Sequence, residues 1–200
     1  MKWQHIALLV NNRPGVLSHV AGLIARRNIN IECLNVGYTE IPEISRINLV
    51  VGVESRFQLD QAIHQLSHLI DVIKVVNLDD APLVSYELTL IKVSAPTPQI
   101  REELTNIAGL FHAKIVDVYP DSLIFRLTGR QDHIEALKQM LRSYTVLEIA
   151  TTGQIALGRG PQTVKDSLLA APRPEETEPA ERKGEQPVSY THLRAHETLR

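Results

Sequence analysis

A single cysteine, Cys33, occurs among the 200 residues of the chain, which excludes an internal disulfide. So little cysteine is typical of proteins from a reducing compartment. Cys33 lies in the alternating run NINIECLNV, and we interpret it as a small core residue. The opening MKWQHIALLV has no small-residue cleavage site, so we expect no signal peptide and predict a cytoplasmic protein.

The chain also has few aromatic residues and no strong charge bias. Aromatics make up 4% of the chain and its net charge is −2, which disfavours base-stacking platforms and basic binding surfaces. No apolar run approaches the roughly 18 residues that cross a bilayer. We therefore expect neither nucleic acid nor a membrane as a partner.

Catalytic constellations are equally absent from the sequence. No Ser-His-Asp order, carboxylate pair or glycine-rich dinucleotide turn stands out. His64 and His68 are four residues apart, a spacing that can bind zinc, but no neighbouring carboxylate or cysteine completes a site. We expect no catalytic residue and no metal ligand on this chain.

Two halves of the chain carry the same order of patterns, β-α-β-β-α-β. The first half predicts strands at 3–10, 30–38, 45–53 and 71–78, with helices at 17–27 and after a Ser55/Gln58 capping box. The second half predicts strands at 83–94, 113–119, 122–128 and 145–150, helices at 97–112 and 131–142, and a sheet extension at 154–157.

A repeat of roughly 80 residues is too long for a solenoid and fits an α+β fold of two tandem ferredoxin-like units. We divide the chain at Asp79-Asp80, an expected exposed linker, into units at 1–79 and 80–160. Residues 161–200 form a predicted disordered tail, rich in Pro and Glu at 171–187. Its end, PVSYTHLRAHETLR, resembles read-through sequence, and we assign it no function.

Helices that cover one face of a four-stranded sheet leave its edges, and its second face, to be protected. Burying them against another copy or a partner is the simplest solution. We therefore predict a homodimer.

The segment VNNRPGVLSHV, at 10–20, carries the most informative chemistry. A strand end leads through a tight turn into a helix N-terminus, where unpaired N–H groups and the helix dipole favour a carboxylate. Gly15 permits unusual dihedrals and a close ligand, and Asn12 offers both a donor and an acceptor. The spacing fits a receptor for a small zwitterion, and it also fits an ordinary turn without a ligand.

The pattern N-x-x-G-x-L-S-x-V after an apolar strand resembles the ligand loop of ACT domains, which bind amino acids where domains pair. The resemblance to acetolactate synthase (acetohydroxyacid synthase) small regulatory subunits extends in order over residues 3 to 160. The segments that carry it are RRNINIECLNVG, EISRINLVV, LIDVIKVVNL, ELTLIKVSA, FHAKIVDVYPDSLIFRLTG and VLEIATTGQIALGRG.

This resemblance implies an N-terminal ACT domain followed by an ACT-like C-terminal domain. It implies that Asn12 and the backbone of Gly15 and Val16 grip the effector's carboxylate and ammonium groups. Asn30 and Ile31 match positions that a neighbouring subunit contributes, while Leu17 and Val36 are candidates for the apolar pocket. The second unit's turn, SAPTP, has no Asn or Gly, so we expect one effector site per chain.

The implied function is regulation of acetolactate synthase in branched-chain amino acid biosynthesis. The small chain raises the activity of the catalytic large subunit and confers feedback inhibition by valine, leucine or isoleucine. We expect no cofactor on this chain, and thiamine diphosphate, Mg²⁺ and FAD on the catalytic subunit. The loop alone also permits a free-standing amino-acid sensor that acts on another partner.

Overall fold

The computed structural model describes residues 1–166 and folds them into two consecutive units. The first contains β1 (Lys2–Asn11), α1 (Val16–Arg26), β2 (Asn30–Tyr38), β3 (Ile44–Val53), α2 (Arg56–Leu66) and β4 (Val72–Asn77). The second contains β5 (Leu83–Ser94), α3 (Pro98–Leu110), β6 (Lys114–Val118), β7 (Ser122–Gly129), α4 (Gln131–Met140), β8 (Val146–Thr151) and β9 (Ile155–Gly158). Short 3-10 turns at Leu78–Asp80 and Leu141–Ser143 precede β5 and β8.

Both units have the strand order of a ferredoxin-like fold, which confirms the predicted fold class. The first sheet runs β2-β3-β1-β4 and the second β6-β7-β5-β8, with every neighbouring pair antiparallel. Alternating side chains of β1, such as Ile6 and Leu8, pack under α1 and α2, since they share a face with Leu49 and Ile47 of β3. Ile91 and Phe125 occupy the same place under α3 and α4.

Local sequence signals set the helix starts. Thr97 caps α3 by accepting the Ile100 N–H, and Pro98 takes the first helical position, as predicted. Ser55 caps α2 by accepting the Gln58 N–H. The Gln58 amide oxygen, however, accepts the N–H of Glu54 rather than that of Ser55, so only half of the predicted capping box forms.

The strand β9 joins the two units. It pairs with the first residues of β5, from Leu83 to Tyr86, so the predicted sheet extension is confirmed. Its Ala156 is buried against Ala7 and Leu78, on the face of the first sheet that carries no helix. Residues around β9 thus cover part of that second face, and they do so within one chain.

Cys33 belongs to this junction and not to the core, so its interpretation as a core residue was wrong. Its side chain lies on the second face of the first sheet, where Sγ accepts the Gln154 N–H at 3.0 Å. Gly153 (φ 73°) passes so close that a Cβ built on it would lie 2.3 Å from Sγ. Burial raises the pKa of the Cys33 thiol, which favours its protonated form.

Asp79 and Asp80 are exposed between the two units, as predicted, and both are also held by hydrogen bonds to residues of the first unit. Asp79 Oδ2 accepts the His5 backbone N–H at 2.6 Å, and Oδ1 lies 3.1 Å from His5 Nδ1. Asp80 accepts hydrogen bonds from Arg56 and from Asn77. These contacts could not be predicted from the sequence, because the residues that make them lie on three separate elements, β1, α2 and β4.

A chain of side-chain hydrogen bonds continues from His5 into the second unit. His5 Nε2 lies 2.8 Å from Gln154 Oε1, and Gln154 Nε2 donates to Gln131 Oε1 at 2.7 Å. Gln131 is the first residue of α4. The chain therefore connects the central strand of the first sheet to a helix of the second unit.

Residues 161–166, assigned to the tail from the sequence, lie at the same junction. Val164 packs against the cluster of Ala7, Leu78 and Ala156. The remainder of the predicted tail, 167–200, lies outside the described residues, and its disorder stays a prediction. Within residues 1–166, no helix combines the length and the apolar character needed to cross a membrane.

Substituting alanine at three glycines distinguishes the effect of the close contact at Gly153 on stability from the effect of backbone strain. Gly153→Ala places Cβ against Cys33 Sγ at a positive φ, Gly160→Ala has the positive φ (90°) but open space, and Gly158→Ala has neither problem. We expect the free energy of unfolding to fall by at least about 2 kcal/mol for Gly153→Ala and by about 1 kcal/mol for Gly160→Ala. For Gly158→Ala we expect a fall of under about 0.5 kcal/mol. Urea denaturation measures them. A loss at Gly153 no larger than at Gly160 would contradict the junction.

Stability is expected to depend on pH through His5 and Asp79. The hydrogen bond to Asp79 raises the pKa of His5 above its ordinary 6.5, against the effect of burial. Burial raises the pKa of Asp79, but the hydrogen bonds from His5 outweigh it and bring that pKa below 3.8. The His5 contribution is complete below pH 6.5 and is lost as pH rises through the raised value, while that of Asp79 is lost in acid.

Urea unfolding at about pH 6 and about pH 9 tests this dependence. The free energy of unfolding should fall with pH, and the fall should be smaller in Asp79→Asn because His5 then loses its anionic partner. His19→Gln removes an exposed histidine of α1 and serves as the control. An equal fall in wild type and Asp79→Asn would show that the pair does not carry the effect.

Candidate effector-binding site

The loop between β1 and α1 is fixed by two other loops of the same unit. The backbone N–H of Asn12 donates to the Glu43 carbonyl at 2.7 Å, and that of Asn11 donates to the Asp71 carbonyl at 2.9 Å. Sequence reasoning missed Glu43 and Asp71, because their carbonyl groups carry no sequence signal and they lie far from the loop in the chain. These two hydrogen bonds fix the position of the loop at the end of the sheet.

Gly15 has the left-handed conformation that its place in the loop predicted, with φ 89° and ψ −18°. It occupies the N-cap of α1, and no side chain caps the helix there, whereas hydroxyl groups cap α2 and α3. The first helical bond is donated by the N–H of His19 to the Gly15 carbonyl. The backbone N–H groups at the start of α1 thus face the loop without a side-chain acceptor.

Asn12 presents an exposed side chain beside this helix start. Its Nδ2 donates only a long bond, 3.4 Å, to the Pro42 carbonyl, and Oδ1 has no hydrogen-bond partner among residues 1–166. Most of the hydrogen-bonding capacity of the amide is therefore available to a ligand. Folding of the loop depends on the backbone of Asn12 rather than on its side chain.

The apolar candidates divide into two kinds. Val16 has its side chain in the core, 4% exposed, so it can offer a ligand only its backbone. Leu17 and Val36 are 40% and 49% exposed, respectively. Val36 pairs with Ile47 of β3 and so lies on the helix-bearing face, near the end of β2 that flanks the loop. These two side chains supply apolar surface at the loop end of the unit.

Asn30 and Ile31 lie at the other end of the same sheet. Asn30 pairs with Gly52, which in turn faces Trp3 near the start of β1. Asn30 and Val36 pair with Gly52 and Ile47, five residues apart on β3, which corresponds to a distance of about 17 Å. One copy of the chain therefore does not bring Asn30 and Ile31 to its own loop, and any contact between them needs a second copy.

The loop end carries little formal charge. Arg13 is exposed, and its Nη1 lies 4.0 Å from Asp71 Oδ1, so the two side chains form a weak ion pair. Binding of a carboxylate here would rest on the helix-start N–H groups and the helix dipole. Among residues 1–166 no group of three or more His, Cys, Asp or Glu side chains is arranged to hold a metal ion.

The equivalent turn of the second unit has the same backbone anchor but no glycine and a capped helix start. The N–H of Ala95 donates to the Asp121 carbonyl at 2.7 Å, and Ala95 is completely buried. Thr97 accepts the Ile100 N–H, and Pro98 has no N–H to offer. These features support the prediction of one effector site per chain.

The fold and the open glycine turn define a regulatory protein with an ACT domain followed by a second ferredoxin-like unit. Two family profiles match the chain, an "AHAS small subunit-like ACT domain" over residues 6–74 and the "small subunit of acetolactate synthase" over residues 86–160.

Relatives cover both units. The probable acetolactate synthase small subunit of Methanothermobacter thermautotrophicus is 42% identical over 159 residues, 80% of this chain and 94% of the relative. The acetolactate synthase small subunit of Bacillus subtilis is 43% identical over 157 residues, 78% and 91%. The crystal structure of the small subunit from Thermotoga maritima matches at a TM-score of 0.74 and 34% identity, covering 81% of this chain and all of that one.

The chain belongs to the acetolactate synthase small subunit family. It is a regulatory, non-catalytic subunit, and membership implies a catalytic large subunit as its partner. The resemblance stated from the sequence is confirmed over both units.

Proposed function

We propose that this subunit senses a branched-chain amino acid, valine or its relatives leucine and isoleucine, and confers feedback inhibition on the catalytic subunit. The observation that carries the proposal is the uncapped start of α1 at Gly15 beside the free amide of Asn12. The N–H groups at the helix start donate hydrogen bonds to the carboxylate. The Asn12 oxygen accepts one from the ammonium group, and Leu17 and Val36 contact the aliphatic side chain.

We propose further that the site is completed by Asn30 and Ile31 of a second copy in a homodimer. The edge strand β2 supports this proposal, since one side of it has no partner among the described residues. Val36 and Tyr38 on this strand are 49% and 84% exposed. An effector that bridges two copies ties its own binding to their relative position, which a single closed pocket would not do.

Regulation then follows from differential affinity. The effector can change the activity of the catalytic subunit only if it binds one arrangement of the paired units more tightly than another. A coupling of about 1–3 kcal/mol gives roughly 5- to 150-fold effects. Such a coupling lies within the range of a few hydrogen bonds to a charged ligand.

The chemistry of the holoenzyme belongs to the catalytic subunit in this proposal. That subunit would hold thiamine diphosphate, Mg²⁺ and FAD, and would condense two pyruvates to 2-acetolactate and CO2. The small subunit would raise this activity without entering the reaction. The division of the chain at residues 79/80 and 160/161 and its cytoplasmic location remain predictions.

A free-standing sensor with another partner is the weaker proposal. The loop of the first unit permits it, because a ligand contacts nothing beyond residues 1–79 of two copies. The relatives named above match this chain across both units, and the second family profile covers residues 86–160. This coverage favours the small-subunit role.

Isothermal titration calorimetry of valine binding to the purified full chain tests the assignment of the loop as the effector site. Wild type should bind saturably, and Asn12→Ala should lower the affinity about tenfold or more, because it removes a hydrogen bond to a charged group. Gly15→Asp should abolish binding, since it places a carboxylate where that of valine would lie. Thr105→Ala, on exposed α3, is the matched control for a lost polar side chain.

Urea denaturation accompanies the titration and separates binding from folding. Asn12→Ala should change the free energy of unfolding by less than about 0.5 kcal/mol, because its side chain makes only one long bond. Absence of valine binding by wild type, or unaltered binding by both loop variants, would refute the assignment.

A further inference from the structure

A cavity of about 570 Å³ lies at the junction of the two units, away from the loop site. Its lining includes Arg46 and Val76, which lie on the face of the first sheet opposite the helices. The other wall is formed by β9 and the residues that follow it, up to Asp166. The volume is in the range of small-molecule sites.

Most of the wall is apolar. Val76 and Leu78 contribute from the first unit, and Leu157 and Val164 from the segment that crosses it. Leu157 is 59% exposed and leaves part of this wall uncovered. An aliphatic ligand would cover this surface.

Arg46 is the polar anchor of the cavity. Its side chain is partly buried, with Nε donating to Asn48 Oδ1 at 2.9 Å and Nη2 donating to the Ala156 carbonyl at 2.8 Å. Both acceptors are neutral, and among residues 1–166 no carboxylate forms an ion pair with this guanidinium. Burial lowers the pKa of Arg46, against the opposing effect of the nearby Glu40 carboxylate.

The neighbouring charges do not neutralise it. Glu40 is a nearby negative charge, but it is paired with Lys165 and makes no hydrogen bond to Arg46. Asp166 is the carboxylate of the lining, and its Oδ2 accepts the Thr163 N–H at 2.6 Å. Arg159, also in the lining, donates from Nε to the Leu83 carbonyl at 3.3 Å. Two guanidinium groups therefore face one carboxylate, which leaves a positive charge in a mainly apolar cavity.

We propose that this cavity is a second ligand site, which binds a carboxylate with an aliphatic body. The free side of the Arg46 guanidinium would donate charge-assisted hydrogen bonds to the carboxylate, and the apolar wall would cover the body. Val76 and Arg46 belong to the first unit, while Leu157 and Arg159 belong to the second. A bound ligand therefore contacts both units and stabilises the arrangement in which β9 lies on the first sheet.

Calorimetric titration of the full chain with hexanoate, and with the neutral hexanamide, tests the proposal. Hexanoate should bind saturably, and hexanamide at least about tenfold more weakly, because the cavity selects the charge. Saturating valine should not displace hexanoate, since the two sites are separate. No saturable binding of hexanoate, equal binding of the amide, or competition by valine would each overturn the proposal.

Substitutions at Arg46 then test whether the ligand binds in this cavity. Arg46→Gln keeps a donor for the Ala156 carbonyl but removes the charge, and should weaken hexanoate binding about tenfold or more, while Arg46→Lys should retain part of it. Arg142→Gln, an exposed arginine remote from the cavity, should bind as wild type does.

Leu157→Glu provides an independent variant if Arg46→Gln does not fold. Its exposed position tolerates a polar side chain, and the new carboxylate would compete for the guanidinium. Circular dichroism confirms the fold of each variant. Wild-type affinity for hexanoate in a folded Arg46→Gln or Leu157→Glu protein would place the ligand elsewhere and refute the site.

Discussion

The extended backbone of β2 is the constraint on which the proposed sensing function depends. A strand advances about 3.3 Å per residue and cannot fold back within its sheet, so Asn30 and Val36, whose partners are five residues apart on β3, are held about 17 Å apart. Pairing with β3 fixes this register, because a slip of one residue would turn the core side chains of β2 outward. The loop of one chain and the start of its own β2 consequently never meet. A site made of both requires two chains.

The strand at the centre of the sheet links the loop to the rest of the molecule. β1 pairs with β3 and β4 along most of its length and ends at Asn11, directly before the loop. His5 of the same strand reaches Gln154, and through it the start of α4. An effector bound at the loop end of β1, as proposed, would therefore act on the same strand whose second face forms the unit junction. This connection is a physical route by which occupancy can reach the second unit.

Much of the fold could be predicted from the sequence because its signals are local. The hydroxyl of Thr97 followed by Pro98 marks a helix start without reference to any other residue. The dihedrals of Gly15 likewise follow from the turn that the neighbouring residues make. The two-unit plan followed from repeated periodicity. The helix start and the glycine turn each involve residues fewer than about ten positions apart, a separation at which pattern and structure are tightly linked.

The junction could not be predicted, because its partners are distant in sequence and ordinary in type. Cys33 and Gln154 are 121 residues apart, and neither carries a distinctive pattern. Asp79 sits in a polar pair typical of a linker, and only the register of β1 brings His5 to it. For the loop site, the residues followed from pattern and resemblance, but the separation of Asn30 from Asn12 became visible only with the sheet order.

Mixing two defective chains tests the central claim, that one effector site is built from two copies. Asn12→Ala and Asn30→Ala chains are unfolded together, refolded at equal amounts, and titrated with valine. If the site is shared, each mixed dimer contains one intact site and one doubly altered site, so high-affinity binding returns to about a quarter of the wild-type stoichiometry. If the mixture binds no better than either variant alone, the site lies within one chain and the account is wrong.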